Sequence, residues 1–271
     1  MAQSNIIPRI GLGTYRLKDQ QVIDSVKSAL ALGYRHIDTA QIYDNEQPVG
    51  EAIKQSGVPR DEIFLTTKVW WDRFRHDELI ASLEESCRKL AVERVDLALI
   101  HWPSPNDEIP MAEYIGALNA AREKGLARHI GVSNFTLAHL DEALSVPGGE
   151  HLITNQIEVH PFLANRTLVE HSQAKGLEVT GYMPLAVGKV MNEPVLRQIA
   201  DDHDATPAQV ALAWVASRDI AVIPSSTRPE HQQANLAALE LTLSDDEMAR
   251  IERLDVGERI ANPDFAPKWD A

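Results

Sequence analysis

Eight short apolar runs, each followed by a stretch of helical periodicity, recur along the chain and leave few folds open to it. The runs lie near 12–15, 34–38, 63–67, 95–100, 128–132, 152–157, 178–181 and 220–223. Helical stretches follow near 20–32, 46–56, 76–90, 111–124, 136–145, 165–175, 206–217 and 229–238. Strand and helix in alternation is the pattern of a parallel sheet joined by crossover helices, and eight repeats predict a closed α/β barrel of the (β/α)8 TIM type. Segments near 193–203 and 244–254 read as additional helices outside the repeat.

Local chemistry supports the same register. Thr206 before Pro207 is a cap followed by proline at a first helical turn. Ser244-Asp245-Asp246-Glu247 has the form of a capping box. Lys124-Gly125 and Lys175-Gly176 place a cation and then a glycine at helix ends, as the helix dipole and a left-handed C-cap favour.

With 271 residues and 44% hydrophobic content, the chain can bury one large core. No Pro/Gly/Ser-rich linker or charge block interrupts it, so a single domain over residues 1–271 is expected. The start has no basic region followed by an apolar core, and no apolar run approaches the roughly 20 residues that span a bilayer. A soluble cytoplasmic protein, monomeric by default, is the expectation. A formal charge of −14 repels phosphate backbones and anionic membranes, which argues against nucleic-acid and membrane partners. The single cysteine, Cys87, has no partner for an internal disulfide and falls in an amphipathic helix, where packing is its simplest role. His151, His160 and His171 are not spaced as a zinc motif requires, so no metal site is expected, and His160 reads as a rim or packing residue.

On this register, Asp38, Lys68, His101, Ser133, Asn134, Gln156, Tyr182 and Ser225 all fall at or just past strand C-termini, the rim from which barrel active sites are built. Tyr43 follows Asp38 by five residues, where a strand becomes a loop. Singly, each has a plain structural reading. The Asp38-Thr39 pair suits a cap, Tyr43 a surface ring, His101 a core imidazole, and Lys68 a solvated charge or the Schiff-base lysine of an aldolase. Together the Asp, Tyr, Lys and His are proton-transfer equipment.

The stretch from Gly33 to Gly50, with Asp38, Tyr43 and Glu46, resembles the first signature of the aldo-keto reductases. Met111 through Gly125, Arg128 and Ile130-Gly131-Val132-Ser133-Asn134-Phe135 resemble the second, and the likeness extends over nearly the whole chain. The resemblance implies carbonyl reduction with Asp38, Tyr43, Lys68 and His101 as the catalytic set. Reducing a carbonyl needs a hydride and a proton, and no side chain supplies hydride, so a nicotinamide is implied. Tyr43 would donate the proton, Lys68 would lower its pKa by stabilising phenolate, and Asp38 would keep Lys68 charged. His101 would orient the carbonyl and assist proton transfer at low pH.

Gly11-Leu12-Gly13-Thr14 lacks the third glycine of a dinucleotide fingerprint, which excludes a Rossmann unit there. The resemblance instead assigns the nicotinamide carboxamide to Ser133, Asn134 and Gln156 and the ring face to Tyr182, with Pro184, Leu185 and Asn235 as further cofactor contacts. The plain alternatives are a helix N-cap for Asn134 and a packed ring for Tyr182. Many relatives grip the ribose 2′-phosphate with Ile-Pro-Lys-Ser and a later arginine. Here those positions are Ser225 and His231, which leaves Arg228, with Ser226 and Thr227, to hold the phosphate. NADPH is the expected cofactor, with NADH as the other candidate.

The resemblance places Tyr15, Ile42, Trp70 and Trp102 around the substrate carbonyl. Segments such as His101-Trp102-Pro103-Ser104-Pro105 and Ile223-Pro224-Ser225-Ser226-Thr227 are most similar to family members that reduce methylglyoxal and 2,5-diketo-D-gluconate. The loop after His101 runs only to about Pro110 and the tail after Asp255 is brief, which predicts an open mouth of modest specificity. The reading from a different class is a non-catalytic nicotinamide-binding barrel with a regulatory role.

Overall fold

The computed structural model describes residues 5–270. Eight parallel strands form one sheet in sequence order: β1 (Leu12–Gly13), β2 (His36–Asp38), β3 (Phe64–Val69), β4 (Val95–Ile100), β5 (Ala127–Ser133), β6 (Leu152–Glu158), β7 (Glu178–Tyr182) and β8 (Ile220–Val222). The sheet closes on itself. Gly11 N donates to Val222 O at 2.8 Å, Gly13 N to Pro224 O at 3.1 Å, and Val222 N to Arg9 O at 2.9 Å. A Cβ at Gly13 would lie 2.7 Å from Ile223 O, so the seam needs glycine there.

The outer helices are α1 (Asp19–Leu32), α2 (Glu46–Ser56), α3 (His76–Leu90), α4 (Met111–Glu123), α5 (Leu137–Ser145), α6 (Arg166–Ala174), α7 (Pro194–Asp202), α8 (Pro207–Ala216), α9 (Pro229–Ala237) and α10 (Asp245–Glu252). The two helices expected outside the repeat are α7 and α10. Thr206 and Ser244 each cap with a full reciprocal box, and Gly125 and Gly176 adopt φ of 81° and 82° as C-terminal stops. β1 is shorter than the apolar run suggested, because the chain turns out of the sheet after Gly13 and carries Tyr15 to the mouth.

Strand alternation divides the side chains into two layers. Ile37, Leu65, Val69, Ala98 and Ile100 face outward into the main core beneath the helices. Leu97 and Leu99 face inward and join Ile7 and Ala221 in a smaller interior cluster that Phe64 and Ile153 flank. Above that apolar floor the inward positions become polar, and these form the site.

Candidate active site

Inward alternation brings Asp38 on β2, Lys68 on β3 and Gln156 on β6 together inside the barrel. Lys68 Nζ donates to Asp38 Oδ1 and, at 3.0 Å, to Thr39 O, while Gln156 Nε2 donates to Asp38 Oδ2 at 2.9 Å. Asp38, Lys68 and Gln156 are each at most 2% exposed. An isolated ammonium would not stay charged at that depth. Burial pulls the Lys68 pKa down, and the Asp38 carboxylate opposes this.

Tyr43 ends a single 3-10 turn, Gln41–Tyr43, with its ring centroid 5.1 Å from Lys68 Nζ and 5.6 Å from the His101 ring. Burial, then the charge of Asp38, pushes the phenol well above its ordinary pKa. His101, 8% exposed, is held well below the ordinary histidine pKa by burial and by the Lys68 charge. Both effects disfavour the protonated imidazole.

The turn bearing Tyr43 is fastened by residues whose sequence motif gave no hint of it. Asn45 accepts from Thr39 Oγ1 at 2.6 Å and donates to Thr14 O and Leu17 O at 2.9 and 3.0 Å. Glu46 accepts from Thr67 Oγ1 at 2.6 Å, next to Lys68. Gln41 donates to Ser82 and Ser86 at 3.0 Å and accepts from Trp70 N at 3.2 Å.

The residues expected to receive the nicotinamide form one cluster on β5–β7. Ser133 Oγ donates to Gln156 O at 2.8 Å, Asn134 Nδ2 donates to His101 O at 2.9 Å, and Tyr182 OH donates to Asn134 Oδ1 at 2.7 Å. Asn134 sits at φ 63°, a conformation its short amide tolerates. It is not the cap of α5, because Thr136 holds that place in a box with His139. Pro184 and Leu185 follow on the loop after β7. With hydroxyl and amide groups beside the half-buried Tyr182 ring, this donor set fits a nicotinamide carboxamide. Ser133, Asn134, Tyr182 and one Gln156 N–H already have partners within the protein, which leaves Gln156 Oε1 as an acceptor without a protein partner among the described residues.

At the far end, Ser225, Thr227 and Arg228 are exposed beside the start of α9. Arg228 Nε donates to Glu230 Oε1 at 2.6 Å, so the one cation expected at the 2′-phosphate already holds a carboxylate. Buried Gln232, absent from the expected set, donates to Ser226 O at 2.9 Å and to Ser25 O at 3.0 Å and sets the loop. Asn235 is buried, and the Tyr34 phenol donates to Gln232 O at 2.9 Å.

Tyr15 packs on Tyr43 at 5.1 Å, Ile42 is 49% exposed beside them, and Trp70 lies edge-on to His101 at 5.1 Å. The brief tail nonetheless covers the Trp70–Trp102 side of the mouth. The tail folds back over the rim, placing Phe265 5.5 Å from both Trp70 and Trp102 and 6.0 Å from Trp71. Trp269 packs on Trp102 at 6.0 Å, and Arg259 covers Trp269 at 3.6 Å. Two aromatic residues in a polar, proline-containing tail were the signal available in the sequence.

A model of the aldo/keto reductase family matches residues 9–256. The chain is 53% identical over 265 residues to methylglyoxal reductase DkgB of Yersinia pestis and 51% identical over 265 residues to its namesake in Escherichia coli O157:H7. Each of those alignments covers 97% of this chain and 99% of the relative. A crystal structure of a protein designated 2,5-diketo-D-gluconic acid reductase B superposes with a TM-score of 0.92 at 44% identity, covering 98% of this chain and 94% of that one. The strand order, the buried Asp-Lys pair beside a tyrosine and these likenesses agree: the chain belongs to the aldo/keto reductase family and is an oxidoreductase acting on carbonyl groups.

Proposed function

We propose that the protein reduces small aldehydes and ketones with adjacent carbonyls, of the methylglyoxal and 2,5-diketo-D-gluconate class, with NADPH as cofactor. The observation that carries this reading is the buried Lys68–Asp38 pair with the Tyr43 ring 5.1 Å from its ammonium. Bound NADPH supplies the hydride. As negative charge grows on the substrate oxygen, Tyr43 passes its phenolic proton to that oxygen. An alkoxide is more basic than a phenolate, so transfer is downhill even from a phenol of raised pKa. Lys68 then stands beside the phenolate, and Asp38 keeps Lys68 cationic.

His101 orients the carbonyl by a hydrogen bond, and Trp70, Trp102 and Tyr15 exclude water, which strengthens each polar contact. Ser133, Asn134, Gln156, Tyr182, Pro184 and Leu185 would hold the nicotinamide end. Ser225, Ser226, Thr227, Arg228 and Asn235 would hold the adenosine end.

The test follows NADPH and NADH oxidation with methylglyoxal and 2,5-diketo-D-gluconate in wild type and Tyr43→Phe. A fall in kcat on the order of 10²–10⁴-fold in the variant, with cofactor binding retained, is expected for loss of the general acid. No wild-type turnover with either cofactor would overturn the reading in favour of a binding barrel.

A further inference from the structure

The last residues of β6 and the C-terminal tail meet at one buried carboxylate that the reaction itself does not use. Glu158, 0% exposed, ends β6. Its Oε1 accepts from Ile260 N at 2.7 Å and is 2.8 Å from His160 Nε2, and its Oε2 accepts from Ala261 N at 2.7 Å. These hydrogen bonds hold the Glu158 carboxyl below the usual glutamate range despite its burial. Between the two anchored amides and Asp270, the tail carries Phe265 and Trp269 onto Trp70 and Trp102. Leu137 N closes the loop by donating to Asp270 Oδ2 at 2.9 Å.

Other contacts serve the same segment. Arg259 donates to Asn165 Oδ1 at 3.1 Å, Asn165 Nδ2 donates to Glu158 O at 2.6 Å, and Val256 N and Glu258 N donate to Phe162 O. Glu158 is also the register partner of Tyr182, so the anchor of the tail and the ring expected beneath the nicotinamide sit on adjacent strands.

We infer that Glu158 is a positioning residue for substrate selection: by holding the Ile260 and Ala261 amides, it sets where Phe265 and Trp269 complete the aromatic wall, and so how tightly a small dicarbonyl is enclosed. The inference rests on the carbonyl-reductase site proposed above. A carboxylate suits this task because it accepts several N–H donors at once, and charge-assisted bonds of that kind hold a short segment with little help from a core.

Glu158→Gln keeps the shape but turns an amide N–H2 toward donors. In the full-length protein, hydrogen exchange at Ile260 and Ala261 should rise by about tenfold or more, the scale set by losing one or two such bonds. KM for methylglyoxal should rise by about three- to tenfold, with a smaller change in kcat. In a Phe265→Ala/Trp269→Ala background, Glu158→Gln should add nothing further to KM, because the wall it positions is already gone.

Ala261→Pro removes a donor from the tail side and should reproduce the KM effect if Glu158→Gln fails to fold. Faster tail exchange with unchanged KM would overturn the inference, as would an equal KM penalty in the double-variant background. Absence of wild-type turnover would instead overturn the reductase reading, while the exchange result would still report on the anchor.

Discussion

Gln156 on β6 reaches across the barrel to donate to Asp38 on β2, 118 residues away in sequence, at 2.9 Å. With Lys68 on the other oxygen, both sides of the Asp38 carboxylate are occupied, and the buried pair is electrically and geometrically complete. One Gln156 N–H is thereby committed to Asp38, which leaves its carbonyl oxygen and its second N–H.

Asp38→Asn should destabilise the fold by roughly 3–5 kcal/mol, since it leaves a buried ammonium without its counter-charge. Gln156→Leu should cost about 1–3 kcal/mol, the penalty of one unsatisfied carboxylate oxygen. Urea midpoints of the two variants check the order, and a larger loss in Gln156→Leu would contradict it.

Asn45→Ala should lower stability by about 2–4 kcal/mol, because it leaves Leu17 O and the Thr39 hydroxyl without partners and Thr14 O with the Leu17 N–H alone. It should also lower kcat more than it raises KM, since the turn it fastens carries Tyr43. Steady-state kinetics with methylglyoxal separate the two parameters.

Glu230→Gln should tighten NADPH binding by about three- to tenfold by freeing the Arg228 guanidinium for the 2′-phosphate, with NADH affinity unchanged. Arg228→Ala should weaken NADPH alone. Fluorescence titration of both cofactors at two salt concentrations measures this, and equal effects on NADPH and NADH would assign Arg228 to the surface.

His36 lies inside the barrel, and burial depresses its pKa from 6.5 to about 4. Between those values the unfolded chain takes up a proton that the folded chain refuses, so stability falls as pH drops from 6.5 toward 4. A His36→Gln variant, which retains a partner for Thr66, should lose less stability than wild type between pH 7 and pH 4.5 in urea titrations.

The eight-strand register, the two extra helices and their caps were legible because period-2 and period-3.6 patterns, capping boxes and C-cap glycines act within a few residues. Asp38, Lys68 and His101 were legible for a related reason. In a parallel barrel, a polar residue at the end of an apolar run comes to the mouth whatever the distant chain does. Arg228 and Glu230 are only two residues apart, yet no local pattern distinguishes an exposed arginine that pairs with a nearby carboxylate from one left free for a phosphate.

Asn45 and Glu46 stand inside the quoted motif, but their partners Thr14, Leu17 and Thr67 lie on other strands. The course of the tail was not legible, because tail length says nothing about direction. Phe265 and Trp269 return over the rim on a tail whose Ile260 and Ala261 amides are bonded to Glu158, about a hundred residues earlier.

The sequence by itself determined the barrel and which residues stand at its C-terminal rim, since both follow from local periodicity and short-range caps. Tertiary structure alone decided the direction in which the Tyr43 and His101 pKa values move, the sharing of Asp38 between Lys68 and Gln156, and the packing of the aromatic wall. Those depend on burial and on contacts across the barrel, and both desolvation and long-range hydrogen bonding exist only once the sheet has closed.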